Sequence, residues 1–117
     1  MKAAAPGLCP RFHEAVELIG RRWSGAVIRL LIDGRRRYSD LRDAVPDISD
    51  RMLSERLKEL EVAGIVRRMV STRAPVRVEY ELTEKGRALE TPLRAISEWA
   101  SEWIPAAIPD SETPQGV

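Results

Sequence analysis

Arg51, Ser54, Glu55 and Lys58 are spaced three and four residues apart, so any α-helix that contains them carries them on one side. Together they offer hydrogen bonding rather than bond breaking. An arginine can donate to O6 and N7 of guanine, a glutamate can accept from the amino group of cytosine, and serine or lysine can serve bases and phosphates alike. Glu55 can instead orient the guanidinium of Arg51, four residues before it. Further along, Arg73 and Arg77 flank an Ala74-Pro75 pair. At the tip of a hairpin they would approach phosphates or the minor groove, adding salt-dependent affinity with little sequence information.

Catalysis has no comparable support. The chain has no glycine-rich phosphate loop and no Ser, His and Asp set in a known motif. One cysteine, Cys9, excludes an internal disulfide, and with the single histidine, His13, it leaves too few ligands for a structural zinc. No metal, cofactor or enzyme activity is expected. The net charge of +1 conceals an uneven distribution: residues 35–77 hold eleven Lys or Arg against seven Asp or Glu, and residues 78–117 hold three against eight. The cationic middle points toward a polyanion.

For the four polar residues to face outward, their helix needs an apolar back. Leu53, Leu57, Leu60 and Gly64 fall within about 60° of one another at 100° per residue, in a segment running from Ser49 to Ala63. Ser49 is a fitting N-cap, which makes Ile48 and Leu53 the two halves of a hydrophobic staple. Before it, Ser39 is expected to cap a short helix, Asp40 to Ala44, anchored by Leu41 and Val45 and stopped by Pro46. Phe12, Val16 and Ile19 predict a helix over 11–19 ended by Gly20. Ser24 is expected to cap another over about 25–33, with Val27, Leu30 and Leu31 inward and Gly34 closing it. Arg35 to Arg37 then leads to a short strand at Tyr38.

Beyond Gly64 the period drops to two: Val76, Val78, Tyr80 and Leu82 alternate with Arg77, Glu79 and Glu81. Ile65 to Arg73 supplies the partner strand, and Ala74-Pro75 the turn. On these strands Arg67 and Arg68 should divide between solvent and the domain's own acids. Thr83 caps a last helix, along which Leu89, Leu93, Ile96, Ala100 and Trp103 form a near-heptad stripe. Pro92 should kink that helix or restart it at Thr91. The expected fold is mainly α with a small β-hairpin (α+β): a winged helix-turn-helix over 9–104 with N- and C-terminal dimerisation helices, a flexible 1–8 and a flexible tail from 105 to 117.

At 117 residues, 44% hydrophobic and 32% charged, the chain suits one soluble domain. It shows neither a signal peptide's apolar core nor an apolar run near the roughly 18 residues of a membrane span. A cytoplasmic location without a membrane is expected.

These residues reach a resemblance. Cys9-Pro10, Ile19-Gly20 with Trp23, Tyr38-Ser39-Asp40-Leu41, Ile48-Ser49 with Met52-Leu53, Arg56 to Glu61, Ala63-Gly64, Val78-Glu79-Tyr80 with Leu82-Thr83, and Gly86 with Trp99 stand in an order that resembles the HxlR-type winged helix-turn-helix transcriptional regulators over roughly residues 9–103. The resemblance implies a dimeric, sequence-specific DNA-binding regulator. It maps reading onto Ser49 to Lys58, which adds Ser49 and Met52 to the DNA-binding candidates, with Ser39 beside them, and maps the wing onto 65–82. Arg21-Arg22 and Pro75-Val76 depart from the usual pattern before the tryptophan and at the wing.

The partners expected are therefore double-stranded DNA and a second copy of the chain. Phe12, Val16, Ile19, Leu89, Leu93, Ile96, Trp99 and Trp103 are the candidate dimer interface, because a compact core cannot absorb all of them. Packing them against a symmetry mate would set two recognition helices about one DNA turn, ~34 Å, apart. Cys9 is the candidate redox sensor, since some relatives with this N-terminal cysteine respond to oxidants; otherwise it is a small residue at a helix start. Trp23, Trp99 and Trp103 read as core and interface anchors, with a pocket for an aromatic small-molecule effector between the terminal helices as the other reading. The rival function is a winged-helix module for protein interaction without DNA binding.

Overall fold

In a computed structural model of the chain, residues 7–106 are described; most of the two segments read as flexible, at 1–8 and 105–117, lies outside them. The leucine spacing that defines the central helix also organises the domain. Leu53, Leu57 and Leu60 are buried on one side of α4 (Asp50–Val62), against Val27, Ile28 and Leu31 of α2 (Ser24–Ile32) and Leu41 of α3 (Tyr38–Ala44). Ile65 and Val66 beneath α4, and Tyr80 and Leu82 from the sheet, complete this core. Ser49 caps α4 as its sequence position predicts, its Oγ accepting from the Met52 amide at 3.0 Å. Ile48 is partly buried against the same core, as the staple requires.

The sheet has three antiparallel strands in the order β1-β3-β2, namely Arg36–Arg37, Val78–Leu82 and Val66–Val70. Val66 pairs with Leu82 and Val70 with Val78, while Arg36 pairs with Tyr80. The hairpin is thus joined by a third strand, which lies at Arg36–Arg37 rather than at Tyr38. The connecting loop is longer than a turn at Ala74-Pro75. The pairing ends at Val70 and Val78, a Ser71 amide to Arg77 carbonyl bond of 2.9 Å closes the base, and Val76 projects into solvent instead of lying in a strand.

Two expected caps are displaced. Ser24 is the first residue of α2, not its cap; Trp23 takes that position in the left-handed region, φ 78°. A tight turn, closed by the Ser24 amide on the Arg21 carbonyl at 3.0 Å, directs the serine side chain inward, where its Oγ is buried with no hydrogen-bond partner. Ser39 likewise lies inside the first turn of α3. Strand β1 runs into that helix without a loop, so the backbone changes direction at Arg37. In α2 the fully buried residues include Ile28, with Leu30 only partly covered.

At the C-terminal end Thr83 caps a single turn, α5 (Glu84–Arg87), by accepting from the Gly86 amide at 3.1 Å. The helix restarts as α6 (Glu90–Trp103), one residue ahead of the predicted Thr91, with Pro92 in its first turn. Proline is harmless there because first-turn amides lack intrahelical acceptors. Gly86 is needed for a different reason: a Cβ at this position would lie 2.2 Å from the Ile65 carbonyl oxygen. The N-terminal helix α1 (Pro10–Ile19), ended at Gly20, has no buried residue. Among the described residues, no helix is long and apolar enough to cross a membrane.

Gly86→Ala forces a side chain against backbone and should cost about 1–3 kcal/mol of stability. Ser24→Ala removes a buried hydroxyl that bonds to nothing, and should leave stability unchanged or higher. Urea denaturation measures both; equal losses for the two variants would contradict the packing described for them.

Candidate nucleic-acid interface

Asp47, at φ 66°, makes the sharp turn after Pro46 that brings Ser49 to the start of α4. From that start, Arg51, Ser54, Glu55 and Lys58 all face solvent, opposite the leucines. The Arg51 side chain is 88% exposed and its Nε donates to Glu55 Oε2 at 3.2 Å. Of the two roles open to Glu55, orienting Arg51 is therefore the one seen in the free protein. Met52 is half-buried at the edge of the face, and Ser49 is exposed with its hydroxyl committed to the cap. Ser54 Oγ lies 3.1 Å from the phenol of Tyr38, which also reaches Asp50, and Arg42 Nη1 stands 3.7 Å from the Asp50 carboxylate. These contacts tie α3 to the first turn of α4.

Two cationic clefts flank the helix pair. One is lined by Arg37, Tyr38, Ser39, Val76, Arg77 and Val78, and so joins the start of α3 to the loop between β2 and β3. It brings Ser39 and Arg77 together. The other, lined by Ser54, Lys58, Glu61, Arg68 and Tyr80, lies between α4 and the sheet. Burial raises the Tyr80 phenol above its ordinary pKa, opposed by neighbouring Arg68, so it stays neutral near pH 7. Arg73 is exposed in the loop and lines neither cleft.

Arg37 and Arg68 are cleft residues that the sequence does not separate from their neighbours. Arg35 pairs with Glu79 and Glu81, Arg36 donates to the Leu30 carbonyl at 2.9 Å, and Arg67 pairs with Glu81. Among the described residues no carboxylate stands within ion-pair distance of Arg37, Lys58, Arg68, Arg73 or Arg77. On β2 the strand register divides the two arginines, because alternate side chains leave opposite faces of a sheet: Arg67 lies opposite Glu81 and Arg68 opposite Tyr80.

Arg56 is a further residue that the sequence did not single out. It lies at the border of the leucine arc with its side chain only 8% exposed. Its Nε donates to the Arg22 carbonyl at 2.8 Å, and Nη1 meets Glu59, which also takes Arg21 Nε at 3.0 Å. The signal available was a cation beside an apolar stripe with a glutamate three residues on.

The expected dimer stripe divides. Ile19, Leu89 and Leu93 are half-buried against the domain's own core. Phe12 (64% exposed), Val16, Ile96, Trp99 (58%) and Trp103 (65%) stay in solvent on α1 and α6. Cys9 is exposed at the N-cap of α1. A cleft between α2 and α6 is lined by Arg29, Ile32, Asp33, Glu90, Leu93, Arg94 and Ser97. No tryptophan lines it.

The HxlR-like helix-turn-helix family model matches residues 18–108. The uncharacterised HTH-type transcriptional regulator YvaP of Bacillus subtilis is 50% identical over 97 residues, 83% of this chain and 90% of that protein. The HTH-type transcriptional regulator YodB of the same organism is 44% identical over 96 residues, 82% of this chain and 86% of its own. The structure of reduced YodB aligns with a TM-score of 0.77 at 42% identity, covering 86% of this chain and 99% of YodB. The redox regulator HypR in its oxidised form also gives 0.77, at 38% identity, covering 86% of this chain and all of that one. YodB has further been solved diamide-treated and quinone-bound.

Arg56→Met should cost about 1–3 kcal/mol in urea denaturation, because it leaves the Arg22 carbonyl without its donor. Arg51→Ala, which breaks an exposed pair, should fall within about 0.5 kcal/mol of wild type. Equal costs would mean that the buried guanidinium bonds do not hold α4 in place.

Proposed function

The chain belongs to the HxlR-like helix-turn-helix family of transcriptional regulators, and from that premise we propose that it binds operator DNA as a homodimer, α4 entering the major groove and the β2–β3 loop acting as the wing. The observation that carries this reading is the face of α4. Arg51, Ser54 and Lys58 project from a helix whose opposite side is locked into the core, and a major groove about 12 Å wide accepts one such helix. Arg37 with Ser39 and Arg77 on one side, and Arg68 with Lys58 on the other, are suited to phosphates flanking the read bases. Arg73 extends the same cationic surface into the wing. The cations without carboxylate partners among the described residues give this face the charge that suits a polyanion.

Pairing follows from the apolar surface that one copy leaves uncovered. Phe12 and Val16 on α1, and Ile96, Trp99 and Trp103 on α6, give each terminal helix an exposed apolar stripe, surface of the kind that marks an interface. A two-fold arrangement buries the same stripe from both copies and presents two α4 helices to one DNA face. Cys9 precedes α1 at this surface, and we assign it the oxidant response that the relatives' names suggest. With one cysteine per chain, any disulfide it forms joins two chains or captures an external thiol.

Affinity for duplex DNA should fall steeply as salt rises, by roughly one decade in Kd per decade of salt for each phosphate contact. Arg51→Ala should weaken operator binding by about 1–3 kcal/mol and random duplex much less. No duplex binding at low salt, or none of this salt dependence, would remove the regulator reading. Sedimentation should give twice the monomer mass, and Trp99→Glu should shift it toward one.

For Cys9, diamide is expected to change the operator affinity of wild type and not of Cys9→Ser. An identical response from both proteins would remove Cys9 from the mechanism.

A further inference from the structure

Tyr38 opens α3, and its phenol reaches across to the first turn of α4. Its Oη lies 3.1 Å from the Asp50 carbonyl oxygen, 3.3 Å from Asp50 Oδ1 and 3.1 Å from Ser54 Oγ. A phenol has one proton to give. The carbonyl and carboxylate oxygens of Asp50 can only accept, so the Tyr38 proton is directed to Asp50. The remaining contact is then satisfied in one sense only: the Ser54 hydroxyl donates to Tyr38. Proton order along the chain is thus Ser54 to Tyr38 to Asp50, and Arg42, at 3.7 Å, holds the carboxylate at the end of it.

Ser54 lies on the α4 face between Arg51 and Lys58 and is exposed. A free serine hydroxyl can donate to a base or accept from one. With its proton engaged by Tyr38, Ser54 keeps only lone pairs for the groove. We propose that Ser54 reads the operator as a hydrogen-bond acceptor alone, selecting a base with an exocyclic amino group, adenine N6 or cytosine N4, and rejecting the keto oxygens of guanine and thymine. Tyr38 is the positioning residue that fixes this polarity. The inference rests on the placement of α4 in the major groove.

The test is selection of bound sequences from randomised duplexes by wild type, Tyr38→Phe and Ser54→Ala. Wild type should restrict one position of each half-site to adenine or cytosine on one strand. Tyr38→Phe frees the serine proton and should open that position to all four bases, a loss of about tenfold in discrimination. Ser54→Ala should lose the same preference. Base analogues then probe wild type directly and separate the two amino sources. Purine in place of the selected adenine, or 2-pyrimidinone in place of cytosine, lacks the amino group and should weaken wild-type binding about tenfold. The same replacement should leave the affinity of Ser54→Ala for that site unaltered.

Identical base preferences for wild type and Tyr38→Phe, or a uniform loss on every sequence, would overturn the assignment while leaving DNA binding intact. If Tyr38→Phe fails to fold, as judged by circular dichroism, the analogues decide alone: undiminished wild-type binding at every amino-deleted position overturns it. Absence of any duplex binding would remove the groove placement and this inference together.

Discussion

The structure depends on how firmly the back of α4 is held. Leu53, Leu57 and Leu60 are sunk among residues of α2, α3 and the sheet, and burial of side chains this size stabilises by about 1.5–3 kcal/mol each. The one-sided leucine arc sets which face of the helix turns outward, but its contacts carry no direction of their own. Arg56 supplies direction. Its guanidinium, at the edge of the leucine arc, bonds to the Arg22 carbonyl and to Glu59, which reaches on to Arg21. One buried cation thereby ties α4 to the turn between α1 and α2, the turn that Trp23 completes in a left-handed conformation. A helix held by both presents Arg51, Ser54 and Lys58 in a constant array.

The cations of the central segment divide according to their partners. Arg35, Arg36 and Arg67 are engaged by the domain itself, through Glu79, Glu81, Asp33 and the Leu30 carbonyl. Exposed pairs of this kind contribute little to stability, but they withdraw positive charge from the surface available to a polyanion. Arg37 and Arg68 remain in the clefts beside α3 and α4. The surface charge is thus a selection from the net charge, made by tertiary packing.

The terminal helices show the same division for apolar residues. Leu89 and Leu93 pack inward, since α5 and α6 are held close to the core by Thr83, whose amide meets the Ile65 carbonyl, and by Gly86, which allows backbone to approach backbone. Further along α6, Ile96, Trp99 and Trp103 are exposed, and α1 has no buried residue of its own. One stripe thus serves the fold at its start and stays exposed toward its end.

The sequence by itself determined the elements and the outward face of α4. Periodicity and caps are local: the leucine spacing, Ser49 three residues before Met52, and the alternation through Tyr80 each specify their element without distant partners. What it could not reveal depended on residues far apart in the chain. Ser24 and Ser39 have the chemistry of caps, but the turn at Trp23 and the direct run of β1 into α3 carry them past that position. The Arg56 bond to Arg22 spans 34 positions, and the Tyr38 bond to Ser54 spans 16. Which arginine meets a carboxylate, and which serine proton is already committed, are properties of side chains brought together by packing. No periodic pattern contains them, so only the tertiary structure decided them.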